Sequence, residues 1–113
     1  MVLRILQIVA TIGTIVTGLV SLIWPRSVRG FTGLNADGPR GITEIRAILG
    51  GFFVALGAVP LILGEPATYQ MLGITYLVVA LVRVVSMVLD KSVVQSNVIS
   101  AVVEVVFGVI LVL

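Results

Sequence analysis

The chain has 113 residues, 59% of them hydrophobic and 11% charged, with a formal net charge of +2. That balance lies above the apolar share and below the charged share of a water-soluble domain, so water is not its main solvent. Cysteine and histidine are both absent, which removes disulfides, thiolate chemistry and the commonest ligand for haem iron, zinc and copper; neither a metal site nor a cofactor is expected.

The apolar residues fall into four blocks, 2–24, 42–63, 69–89 and 93–113, each close to the ~20 residues that cross a hydrocarbon core. They predict an all-α membrane protein: four transmembrane helices in an antiparallel bundle with left-handed packing, a single domain over residues 1–113. In the first block Arg4, Gln7, Thr11, Thr14, Gly18, Ser21 and Pro25 recur at spacings of three and four. This places a seam of polar and small residues on one inward face. The apolar run is too long, and Trp24-Pro25-Arg26 too bulky, for a cleaved signal peptide. The longer connection, 25–41, holds Gly30, Gly33, Gly38, Pro39 and Gly41 and predicts a short interfacial turn or helix.

In the second block Ala47, Gly51 and Ala55 stand four residues apart, with Gly50 and Gly57 nearby, a small-residue surface that lets membrane helices approach. Pro60 predicts a bend or an early end. Gly64-Glu65-Pro66 supplies a C-terminal glycine and a proline suited to a first helical turn, hence a tight connection. In the third block Tyr69, Tyr76, Arg83 and Asp90 recur every seven residues, in one line down one helix face with Ser86 beside them. The fourth block begins with Ser92-Val93-Val94-Gln95, a capping-box pattern with Ser92 as N-cap. It continues with a stripe of Ser96, Ser100, Glu104 and Gly108, and Asn97 lies on the adjoining flank.

A lone ion inside a bilayer costs about 2.5–3.5 kcal/mol on insertion scales, so Arg83 and Glu104 each need a partner or a task. At 1.5 Å per residue Arg83 lies about 10 Å from the Asp90 end and Glu104 about 18 Å from the Ser92 end. Side chains tilt toward their own helix N-terminus, so in a hairpin the two lean together. An Arg83–Glu104 pair is the leading expectation. Arg46 is expected to join the acids Glu104 and Asp90 or to reach the headgroups. Glu44, two residues earlier, stands on the opposite side of the same helix. Pairing with an arginine disfavours Glu104 as a proton carrier. The candidate polar network or ligand site is therefore Glu44, Arg46, Tyr76, Arg83, Ser86, Asp90 and Glu104.

Arg26, Arg29, Arg40 and Lys91 fall in the first and third connections, against only Arg4 and the amino terminus on the other side. The positive-inside rule then places both termini outside the cytoplasm. No serine, threonine or tyrosine has a histidine base, no phosphate-cradling loop precedes a lysine, and no carboxylates form a convincing acid–base pair, so an enzyme is not expected. No aromatic-interleaved basic surface exists to track nucleic acid.

Glu44-Ile45-Arg46-Ala47, Gly50-Gly51, Ala55-Leu56-Gly57, Arg83-Val84-Val85-Ser86, Asp90 and Glu104 together resemble a family of small bacterial four-helix membrane proteins known only as a domain of unknown function. The resemblance covers nearly the entire chain. It implies the four-helix fold, a bacterial inner membrane and a polar set of Glu44, Arg46, Arg83, Ser86, Asp90 and Glu104, and it implies no activity. Lys91 stands where that pattern has a glycine, which affects only the turn. Three function classes follow. The first is a non-enzymatic accessory or scaffold protein, a subunit of a larger membrane complex or a homo-oligomer. The second is a bundle that binds a lipid- or quinone-type hydrophobic ligand with Arg83 and Glu104 at its polar end. The third, a small exporter, ranks last because the first span carries no acid.

Overall fold

The computed structural model describes residues 1–113. It is all-helical: α1 (Val2–Ile23), a 3-10 turn (Pro25–Val28) leading into the short α2 (Arg29–Thr32), α3 (Gly38–Leu63), α4 (Pro66–Leu89) and α5 (Gln95–Val112). All but α2 are long and apolar enough to cross a membrane. Side chains such as Val78, Val82, Ile99 and Val102 are each more than half exposed, a surface suited to hydrocarbon.

The chain forms two compact units, Ile8–Gly64 and Met1–Gln7 with Glu65–Leu113. In the first, the expected seam of α1 is buried at Thr11, Thr14, Gly18, Ser21 and Pro25. Its hydroxyls bond back to their own helix: Thr11 to the Ile8 carbonyl at 2.7 Å, Thr14 to Ala10 at 2.8 Å and Ser21 to Thr17 at 3.0 Å. The seam thus satisfies its own polar atoms and is free to pack tightly. A Cβ at Gly57 would stand 2.6 Å from the Thr11 carbonyl oxygen, and one at Gly18 2.8 Å from that of Gly50, so only glycine permits this approach of α1 and α3.

The four-residue stripe expected to make that approach does not. Ala47, Gly51 and Ala55 are exposed, whereas Ile45, Gly50, Gly57 and Pro60 are buried. Gly50 and Gly57 stand seven residues apart and so share one helix face, about 100° round from Gly51, and that is the face that meets α1. Residues Ile45–Phe52 within α3 form a π-helical stretch. Two further expectations for this helix are corrected. It starts at Gly38, earlier than residue 42, with Pro39 in its first turn and an Arg40–Glu44 ion pair along it. Of the bend or early end expected at Pro60, the early end does not occur; α3 runs on to Leu63 and stops at Gly64, in left-handed conformation (φ 68°). The Gly64 N–H closes on the Pro60 carbonyl at 2.9 Å, and Pro66 opens α4 as a first-turn proline.

In the second unit α4 and α5 meet through glycines on both sides. A Cβ on Gly73 would lie 2.9 Å from the Gly108 carbonyl oxygen, and one on Gly108 3.0 Å from that of Gly73. The residues before α5 behave differently from the capping-box expectation. The N-cap is Val94, in extended conformation without a side-chain cap, and the helix begins at Gln95. Ser92 is already engaged elsewhere: its N–H bonds the Met87 carbonyl at 3.0 Å while Lys91 takes φ 52°. This is a Schellman ending of α4, and it removes Ser92 from the start of the next helix.

Candidate functional site

The heptad line of α4 runs from a buried to an exposed end. Tyr69 is buried, with the Arg4 guanidinium 4.8 Å from its ring centroid. Tyr76 meets the Phe107 ring edge-on, centroids 5.6 Å apart at 88°. One heptad further, Arg83 reaches α5 and grips Glu104 with a two-pronged fork. Its Nε donates to Oε1 and its Nη2 to Oε2, both at 2.8 Å. Planar guanidinium and carboxylate match in this geometry, the strongest form of such a pair. Glu104 is 8% exposed, so the arginine fork, and not water, meets its carboxylate oxygens.

The third prong was not anticipated. Arg83 Nη1 donates to Asn97 Oδ1 at 3.0 Å, and Asn97 Nδ2 donates to the Ser92 carbonyl at 2.9 Å. Arginine, carboxylate, amide and turn backbone form one chain of bonds that links the middle of α4 to α5 and to the connection between them. A sequence signal for Asn97 existed, since it precedes Glu104 by seven residues and so shares its face. The Ser92 carbonyl had none, because any residue there would offer one.

Ser86, Asp90, Glu44 and Arg46 do not enter this network. Ser86 donates to Asp90 Oδ2 at 2.6 Å, near the exposed end of α4. Glu44 pairs with Arg40 on its own helix. Arg46 is exposed and makes no ion pair or hydrogen bond with the protein. Beside the Arg83 fork lies an open groove of about 370 Å³, bordered by Val79, Val82, Ser86, Ser92 and Asn97. Three of the five N–H donors of Arg83 are spent on Glu104 and Asn97. No three His, Cys, Asp or Glu side chains come together as a metal site would need. Every buried side-chain nitrogen and oxygen has a partner.

Over residues 2–113 the chain matches a family described as a domain of unknown function, DUF4345. No curated protein and no solved structure matches it.

Proposed function

The chain belongs to the DUF4345 family, whose description assigns no activity, and from the geometry we propose a small non-enzymatic integral membrane protein that serves as an accessory or scaffold subunit. In this reading its four long helices cross the bilayer in alternating directions, with the shallow left-handed crossings that spacings of three and four favour. Along α4 and α5 the contacts support the alternation: Gly73 meets Gly108 while Arg83, further along α4, meets Glu104 and Asn97, earlier along α5. The arginines of the 25–41 connection and Lys91 would face the cytoplasm, with both termini on the other side.

The observation that carries the scaffold reading is the closure of the clamp. Both Glu104 oxygens are taken by the arginine, and a carboxylate so engaged is poorly placed to meet a substrate or carry a proton. Its effect is to hold α4 and α5 in one register, a specificity role attested for buried ion pairs. One observation favours a second reading, a site for a lipid- or quinone-type amphiphile: the groove beside Arg83 is open, with unspent guanidinium donors at its polar end.

Native mass spectrometry of the protein in lipid nanodiscs separates the two. The scaffold reading expects a stable complex with another membrane protein or with further copies of the chain, and no stoichiometric small molecule. It also expects Arg83→Ala, which strands a buried carboxylate, to lose about 3–5 kcal/mol of stability, while Glu104→Gln loses less. A stoichiometric amphiphile that disappears in a folded Arg83→Lys variant would replace the scaffold reading with the second one.

A further inference from the structure

We infer that the groove between the end of α1 and the first turns of α3 binds a phosphate-bearing anion, held by Arg26 and Arg46, with the phosphate of an anionic lipid headgroup as its source. The inference goes beyond the scaffold reading but rests on its premise that the long helices cross a bilayer.

The groove measures about 550 Å³ and is lined by Ile23, Trp24, Arg26, Ser27, Ile42 and Arg46. It lies wholly within the unit Ile8–Gly64. Neither arginine has a counter-ion there. The acid nearest in sequence to Arg46, Glu44, is taken by Arg40, and the other ion pair of the molecule, Arg83–Glu104, is spent within itself. Asp37 lies in the connection before α3 and does not line the groove. Two cations therefore face one cavity without a protein anion between them.

Depth gives the second, independent indication. Trp24 is 62% exposed, and an exposed tryptophan at the end of a span sits at headgroup level in a bilayer. Arg46 belongs to the candidate span Gly38–Leu63, where an unpaired cation is costly unless it can reach the interface or an anion. Ile42 and Arg46, four residues apart, share a side of α3, so the arginine stem can run along the helix toward the level of Trp24. Exposed Ile23, at the groove margin, offers apolar contact for the first methylenes of an acyl chain. A guanidinium pair suits phosphate because its N–H forks match the oxygens of that group.

The test is competitive binding to the full chain in nanodiscs that mix phosphatidylglycerol and phosphatidylcholine, read as lipids retained in native mass spectrometry, together with a titration of inorganic phosphate. Wild type is expected to retain phosphatidylglycerol in preference, and the preference should fall about fivefold for each of Arg26→Gln and Arg46→Gln, the effect of one basic residue near an anionic surface. Arg40→Gln, paired with Glu44 and outside the groove, should leave it unchanged. Phosphate that fails to displace the lipid supports the headgroup as source; phosphate that binds and displaces it keeps the site and overturns the lipid assignment. No preference in reconstituted wild type, or equal loss in Arg40→Gln, overturns the site alone. A chain that stays soluble after detergent removal overturns the membrane premise and the site with it.

Discussion

At the residue scale, Lys91 holds a conformation that side chains disfavour. Its φ of 52° is the left-handed value that closes the Schellman turn of α4, and for a residue with a Cβ this costs about 1–2 kcal/mol. Glycine would remove that cost while adding about 0.5–1 kcal/mol of unfolded-chain entropy to be lost. Lys91→Gly is thus expected to raise stability by up to about 1 kcal/mol, visible as a higher melting temperature in detergent; a lower one would mean the lysine side chain compensates. The Arg83–Glu104 pair was legible in the sequence, because the cost of a lone intramembrane charge and the rise of a helix already bring the two together. Asn97 was legible only in principle, by its heptad relation to Glu104. For Arg46 the sequence left two outcomes open, a place among the acids or reach to the headgroups; it makes no ion pair with the protein, and charge and depth alone could not choose, because neither reveals the side of the helix on which a side chain stands.

At the element scale, α3 shows where periodicity misleads. The four-residue stripe Ala47, Gly51, Ala55 lies outside, and Gly50 and Gly57, a heptad apart, make the close contacts. Both sets are regular, and small size shows only that a face can approach another helix, not which of two small faces does so. The consequence can be measured with two substitutions in one helix. Gly57→Val would push a Cβ to within 2.6 Å of the Thr11 carbonyl oxygen and is expected to destabilise by about 1–3 kcal/mol, the usual range for overpacking. Gly51→Ala meets nothing nearer than the Arg46 carbonyl oxygen at 3.9 Å and should be neutral or stabilising by up to about 1 kcal/mol. Thermal unfolding of both variants in the same detergent checks the order; the reverse order would put Gly51, and not Gly57, on the packed face. For α1 the same kind of reading succeeded from Thr11 to Ser21, where the seam is buried, while Arg4 at its start is exposed and Gln7 half-buried.

At the scale of the whole molecule, the proposed topology follows from charge counting and is tested by it. With no native cysteine, single cysteines placed by Arg29→Cys and Glu65→Cys report their sides directly. An impermeant maleimide applied to intact cells should label the Glu65 position and spare the Arg29 position; the opposite pattern would invert the topology. Sequence alone was enough for the four stretches long and apolar enough to cross a membrane, because hydropathy summed over some twenty residues is a local property that no distant contact changes. It also brought Arg83 to Glu104, since low dielectric makes an unpaired charge costlier than almost any packing preference. Only the tertiary structure decided which face of α3 packs, that Asn97 and the Ser92 carbonyl complete the clamp, and that Arg26 and Arg46 share an open groove without a protein anion. Those outcomes depend on helical phase and on the path of a connection, which hydrogen bonds set after the chain has folded back on itself.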